Sequence, residues 1–217
     1  MAEHRGTTAL ETRFAPSSGQ PDASAHADPG VAGNARLTGM NAVVLLVLLA
    51  IEGLTILAIR RVLPQHLFFG FILIPPVLLK MGSTGYRFLR YYAGDRRYRA
   101  AGPPQILLRL LAPLVVITTV VLFATGVELW LFGRQYGSVW LSAHQLSFVL
   151  WFGAMTVHVL GYVFRAPNLA LADYRSGSAV SGSGVRMYLV GATLLLGVVL
   201  AVASTHYATP FVIFPEH

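Results

Sequence analysis

The segment LSAHQLSFVLWFGAMTVHVLGY, residues 141–162, is almost entirely apolar, yet it contains two histidines, His144 and His158. An apolar stretch of this length can cross a bilayer as a helix, which needs about 20 residues. The fourteen residues from His144 to His158 correspond to a rise of about 21 Å and return to within about 40° of the same helix face. Ionisable groups inside a membrane span are costly and are candidates for function. The segment therefore predicts a membrane helix with a functional imidazole near each end.

Four other segments are also apolar enough to be membrane spans. Together with the first, they cover residues 39–59, 66–82, 107–132, 141–164 and 186–206. The chain is 55% hydrophobic and 12% charged, which is far too apolar for an ordinary soluble domain. We therefore expect an all-α integral membrane protein with about five transmembrane helices. A disordered polar tail over residues 1–38 would precede them, and a short outer tail over residues 207–217 would follow.

The arginines predict the orientation of these spans. If the N-terminus lies inside, twelve arginines fall on the inner side and only Arg60, Arg61 and Arg134 fall on the outer side. Positive residues accumulate in cytoplasmic loops, so we expect a multi-pass protein of the cell membrane with a cytoplasmic N-terminus. The net charge of +7 fits contact with lipid headgroups, and no nucleic acid is expected as a partner. Because the chain has no cysteine, thiolate ligands are excluded.

The second apolar segment repeats the spacing of the two histidines. His66 and Lys80 are also fourteen residues apart, and this helix would run parallel to the one that holds residues 141–164. His66 therefore matches His144 in depth, and Lys80 matches His158. Met81, beside Lys80, is a further candidate ligand.

Small residues show the same spacing in the first and third segments, at Gly39 and Gly53 and at Ala112 and Gly126. Small residues commonly let membrane helices pack closely, but recurrence on four helices is harder to ascribe to packing alone. A haem would account for the pattern, because it takes axial ligands from opposite sides and needs small residues where helices approach its faces. Two haems about 20 Å apart would define an electron path across the bilayer.

With these residues the sequence resembles the transmembrane b-type cytochromes, in particular the four-helix core of the cytochrome b of quinol–cytochrome c reductases. It is more loosely similar to the cytochrome b subunits of formate dehydrogenases and hydrogenases. The resemblance covers about residues 39–164. It implies one or two molecules of haem b, with histidine ligands and with glycines against the porphyrin. The matching positions are His66, His144, His158, Gly39, Gly53 and Gly126.

One position departs from the family pattern. Lys80 stands where the resemblance implies a fourth histidine. A neutral lysine amine can bind iron, and desolvation favours the neutral form. Alternatively, the side chain extends to the membrane interface or pairs with a haem propionate. The pair His66 and His144 is therefore the stronger predicted ligand set.

Other polar residues near the spans have more than one interpretation. Glu52 and Glu128 are proton relays in the outer half of the membrane, partners of outer arginines, or residues at the interface. His206 is a quinone-site residue, a substitute ligand or an interfacial histidine. Three arginines near the inner surface are either propionate partners or topology anchors: Arg87, Arg90 and Arg109.

We therefore expect a membrane cytochrome that passes electrons between a quinone pool and a separate redox protein. It would be an electron-transfer subunit of an oxidoreductase complex rather than a stand-alone enzyme, since no residue resembles a substrate-converting catalytic group. Two alternatives stay open. One is a haem-free transporter or proton-conducting protein that uses the histidines and acids as a relay, and the other is a structural subunit of a membrane complex.

Overall fold

The chain folds as a bundle of helices. The computed structural model describes residues 28–102, 106–133, 138–163, 165–174 and 180–205, which form helices and no strand. The helices are α1 Pro29–Leu57, α2 Ile59–Tyr92, α3 Arg96–Ala100, α4 Ile106–Phe132, α5 Val139–Tyr162, α6 Arg165–Leu171 and α7 Ser183–Thr205. Five of them, α1, α2, α4, α5 and α7, are long and apolar enough to cross a membrane. The predicted all-α architecture with five candidate spans is confirmed.

The first helix begins earlier than its apolar residues suggest. Asp28 is the residue before α1, and its carboxylate accepts hydrogen bonds from the backbone N–H groups of Gly30 and Val31. Pro29 occupies the first helical position, where its missing N–H costs nothing. Residues 29–38 are therefore helical, and the prediction of a disordered tail is wrong for them. Residues 1–27 and 206–217 lie outside the described residues.

The second helix is longer than the predicted segment 66–82 at both ends. Only Ala58 separates it from α1, and Val62 has non-helical dihedral angles (φ −125°, ψ 30°) two residues before Pro64. The 34 residues of α2 rise about 51 Å, well beyond the about 30 Å of a hydrocarbon core. The last turns of α2 therefore extend past the apolar part of the bundle.

The middle of α2 is where α7 packs most closely against it. Pro75 and Pro76 lack the N–H groups that would bond the carbonyls of Phe71 and Ile72. A Cβ added at Gly197 of α7 would lie 2.5 Å from the Ile72 carbonyl oxygen, so only glycine fits there. Phe71 and Ile72 form a buried core with Ala201 of α7. The fifth span, for which the sequence suggested no role, is thus an integral part of the bundle.

Two helical hairpins make up most of the structure, since α1 packs against α2 and α4 packs against α5. The backbones of α2 and α5 do not pack closely. Within the α4–α5 hairpin, Trp151 donates a hydrogen bond to Thr119 Oγ1 at 3.0 Å. Trp130 of α4 packs edge-on against Phe71 of α2 and donates to the carbonyl of Ser204 in α7 at 3.1 Å. The contacts of Trp130 join the α4–α5 hairpin to the rest of the bundle.

A buried ion-pair network closes one end of the bundle, which we call the arginine end. Asp173, whose side chain is fully buried, accepts hydrogen bonds from Arg36 of α1 at 2.7 Å and from Arg186 of α7 at 2.6 and 2.7 Å. The hydrogen bonds from Arg186, together with those from Arg36, hold the pKa of Asp173 below its usual value, although burial opposes them. The network ties the segment that follows α6 to two of the candidate spans.

Candidate functional site

His66 lies in the turn of α2 that follows the Val62 kink, and two residues of α1 hold its ring. Its Nδ1 is 2.8 Å from Glu52 Oε1 and 3.0 Å from Thr55 Oγ1. The Thr55 hydroxyl donates to the backbone carbonyl of Glu52 at 2.6 Å. Because a carboxylate can only accept, Nδ1 carries the proton in the neutral ring and Nε2 carries the lone pair. The orientation of His66 is therefore determined from α1.

His144 lies near the start of α5 and is held by α4 in an equivalent way. Its Nδ1 is 3.1 Å from the carbonyl oxygen of Leu122 and 3.1 Å from Thr125 Oγ1. The Thr125 hydroxyl donates to the carbonyl of Val121 at 2.8 Å, so it accepts from the ring. A backbone carbonyl is also only an acceptor, and the neutral ring again keeps its lone pair on Nε2. Both histidines thus use the same nitrogen for protein contacts.

The two rings come together, as the depth of the two residues predicts. The ring centroids of His66 and His144 are 6.4 Å apart, and the ring planes are close to perpendicular at 83°. The His66 side chain is 20% exposed and that of Glu52 is 13% exposed, so the pair is largely enclosed. Four helices contribute to this cluster: α1, α2, α4 and α5. We call it the paired-histidine site, and its members are Glu52, Thr55, His66, Leu122, Thr125 and His144.

One predicted glycine belongs to this site. A Cβ added at Gly126 of α4 would lie 3.2 Å from Cε1 of His144 and 3.6 Å from its Nδ1. The absence of a side chain at Gly126 therefore makes room for the ring in the position that Leu122 and Thr125 fix. A Cβ at Gly53 would meet no atom within 4 Å, so the protein itself leaves space at this position.

The other two small residues lie in different surroundings. A Cβ added at Gly39 would lie 2.5 Å from Cβ of Leu169, because α6 packs against α1 at this point. Helix packing therefore explains why residue 39 is a glycine. Ala112 in α4 is partly exposed. A place against a haem stays a prediction for both residues.

The second predicted pair, Lys80 and His158, is arranged differently. Lys80 Nζ donates a hydrogen bond to the backbone carbonyl of Thr38 at 3.0 Å. The His158 ring contacts Tyr162, and its buried Nδ1 has no hydrogen-bond partner in the described part of the chain. Lys80 and His158 therefore have different immediate partners. Ligation of a metal by Lys80, His158 or Met81 stays a prediction.

The two acids in the candidate spans, Glu52 and Glu128, also differ in their partners. Glu52 pairs with His66, a partner that none of the predicted interpretations named. Glu128 Oε2 is buried, and the described residues provide no hydrogen-bond partner for it. The predicted candidates Arg134 and His206 lie outside the described residues.

The predicted propionate partners at the arginine end have protein contacts of their own. Arg90 forms an ion pair with Asp95 and lies over the rings of Tyr86 and Tyr98 at 5.9 and 6.0 Å from their centroids. The guanidinium of Arg109 lies 5.1 Å from the centroid of Tyr92. These contacts bind α2, α3 and α4 together near the surface.

Sequence reasoning missed the residues that hold the histidines. Thr55 and Thr125 were not selected, and a backbone carbonyl such as that of Leu122 carries no sequence signal. The available signal was indirect, since Thr55 lies three residues after Glu52 and Thr125 directly precedes Gly126. Over the described ranges, no three side chains of His, Cys, Asp or Glu converge on one point. The arrangement therefore offers two imidazoles, rather than a larger ligand set, to a metal.

No protein-family model matches the chain, and no curated protein and no solved structure matches it.

Proposed function

We propose that the protein is a membrane b-type cytochrome whose haem iron is held by His66 and His144. The observation that carries the proposal is the way in which both rings are held by Nδ1, by Glu52 on one side and by the Leu122 carbonyl on the other. Histidines that bind metals typically donate the other ring N–H to a carboxylate or a backbone carbonyl, which fixes the ring and raises its basicity. Both kinds of partner occur at this site.

The separation of the two rings supports the same proposal. Two imidazoles that would hold one metal, with metal–nitrogen bonds of about 2 Å, need ring nitrogens within about 4 Å of each other, which neighbouring rings can supply. The observed centroid separation is 6.4 Å. A site with two protein ligands suits a metal whose remaining positions belong to a macrocycle. When bound, haem supplies one-electron transfer.

The roles of the surrounding residues follow from their contacts. Glu52 and Thr55 orient His66, while Leu122 and Thr125 orient His144. Gly126 leaves space beside the His144 ring. A second haem on Lys80 and His158 is part of the proposal in its two-haem form, which requires Lys80 to exchange its contact with Thr38 for iron.

The partners follow from the location of the site. We propose a quinone as the lipid-soluble partner, because the paired-histidine site lies between helices long and apolar enough to span a bilayer. A separate redox protein would be the second partner, within an oxidoreductase complex. The concentration of Arg36, Arg90, Arg97 and Arg186 at the arginine end supports placing that end, and with it the N-terminus, on the cytoplasmic side of the cell membrane.

The proposal is tested with the full chain purified in detergent from cells supplied with haem precursors. A reduced-minus-oxidised absorption spectrum is recorded, and a short-chain quinol is then added to the oxidised protein. We expect a b-type haem that quinol reduces. Colourless protein that conducts protons or solutes across liposomes would instead establish the transporter alternative. Haem that quinol does not reduce would retain the cytochrome and exclude quinone as its partner.

A further inference from the structure

The two histidines of the paired-histidine site have partners of different charge. His144 donates to a neutral carbonyl and to a hydroxyl, whereas His66 donates to the carboxylate of Glu52. Hydrogen bonds to an ionised acceptor are shorter and about twice as strong as those between neutral groups. The distances agree, with 2.8 Å for the carboxylate contact and 3.1 Å for the carbonyl contact. The two imidazoles therefore differ in the charge of the groups that hold them.

The position of Glu52 is built into the structure at several points. Thr55, one turn further along α1, contacts both Glu52 and His66, so the three side chains form a closed set. On α2, a Cβ added at Gly70 would lie at an ordinary contact distance of 3.7 Å from Glu52 Oε1. Gly70 follows His66 by one helical turn. The carboxylate of Glu52 thus lies beside the turn of α2 that begins at His66.

We infer that Glu52 is a positioning residue that sets the reduction potential of the haem held by His66 and His144. This inference rests on the proposed function. A carboxylate at Nδ1 places a negative charge next to the ligand and gives the ring more imidazolate character. Both effects stabilise ferric iron, which carries one positive charge more than ferrous iron. The Glu52–His66 pair therefore lowers the potential of this haem.

The test compares Glu52→Gln with Glu128→Gln in redox titrations of the purified full-length protein. Both substitutions replace a carboxylate by a neutral amide in a candidate membrane span, but only Glu52 contacts a ligand histidine. We expect Glu52→Gln to keep its haem and to favour the reduced form by about tenfold or more, which is about 59 mV upward for a one-electron couple. Glu128→Gln should titrate like the wild type. Equal midpoint potentials in the two variants would overturn the inference.

A second variant covers the case in which Glu52→Gln loses its haem. Glu52→Asp keeps the charge but shortens the side chain by one methylene, so the contact with Nδ1 becomes longer and weaker. We expect this variant to bind haem with a midpoint potential above that of the wild type. A potential equal to the wild-type value would refute the role of Glu52.

The failure of this inference differs from the failure of the proposed function. If the wild-type protein contains no haem, both the cytochrome function and the role of Glu52 are wrong. The wild type can instead contain haem that depends on His66 and His144, while the Glu52 variants leave its reduction potential unchanged. In that case only the role of Glu52 is refuted. The spectrum of the wild type and the potentials of the variants thus report on separate claims.

Discussion

His144 and His158 lie on the same helix, fourteen residues apart, but the structure surrounds them differently. The Nδ1 atom of His144 is held by two groups of α4, and its ring faces that of His66. The Nδ1 atom of His158 is buried without a partner among the described residues, and the residue at the matching position on α2 is Lys80. Equal spacing therefore predicts equal depth, but it does not predict equal preorganisation. Of the two regions, the one around His144 has contacts among the described residues that fix the orientation of the imidazole.

The largest expected effect comes from removing one histidine from each region. His144→Ala should abolish the haem that His66 also binds, because one of its two protein ligands is lost. His158→Ala, a matched change on the same helix, should leave that haem in place. Haem content per chain and the absorption spectrum measure the difference. Retention of this haem in His144→Ala would show that His144 is not one of its ligands.

A smaller but still large effect is expected from filling the space beside His144. A Cβ at Gly126 would already lie 3.2 Å from Cε1 of the ring, so Gly126→Leu must displace the imidazole. Haem retention should fall by about tenfold or more, as is typical when the support of a ligand is lost. Gly191→Leu in α7 is the control, because a Cβ there meets no atom within 4 Å. Similar haem retention in the two variants would show that the close approach of α4 does not matter.

A change confined to one haem is expected when Lys80, the residue predicted to pair with His158, is replaced. Lys80→Ala removes the amine that contacts Thr38, and it should alter the spectrum or potential of a haem near His158 without affecting the haem of the paired-histidine site. Ser83→Ala serves as control, because Ser83 contacts the Thr38 side chain without providing an amine. Spectra that are unchanged for every haem in Lys80→Ala would remove Lys80 from the ligand set.

The smallest effect on the paired-histidine site is expected from a substitution at the arginine end. The pKa of Asp173 is lowered mainly by the hydrogen bonds from Arg186. A group with a lowered pKa in the folded state stabilises the fold above its unfolded pKa of about 3.9, and this contribution is lost as the pH falls through the folded pKa. Asp173→Asn should therefore cost about 3 kcal/mol at pH 7, because it leaves the buried guanidinium of Arg186 and the partly buried one of Arg36 without their carboxylate. The cost relative to the wild type should shrink under acid conditions.

Thermal unfolding of both proteins in detergent, at neutral and acid pH, measures this contribution, and the haem spectrum at pH 7 should be the same in both. A difference in stability that is constant with pH would contradict the assigned pKa of Asp173. A changed haem spectrum would show that the two ends of the bundle are coupled.

The spans and the pairing of His66 with His144 could be predicted because both depend on distance along a helix axis. Apolar length indicates which segments cross a membrane, and a rise of about 1.5 Å per residue places two parallel helices at matching depths. These arguments need no knowledge of how the helices are rotated. The early start of α1 was also readable in principle, since Asp28 and Pro29 form a typical helix start.

The contacts of the site could not be predicted, because they depend on rotation about each helix axis and on which helices are adjacent. Whether Glu52 faces an arginine or His66 is decided by the packing of α1 against α2. Gly39 shares the fourteen-residue spacing with Gly53, yet its neighbour is α6, a helix outside the predicted spans. A glycine required for helix packing and a glycine required by a cofactor look identical in the sequence.

The central claim is that one haem iron has both His66 and His144 as its ligands. Near-infrared magnetic circular dichroism of the oxidised wild-type protein tests it most directly, because the charge-transfer band identifies the pair of axial ligands. We expect a low-spin haem with two imidazole ligands. A purified protein without haem, or one in which every haem has at most one imidazole ligand, would contradict it.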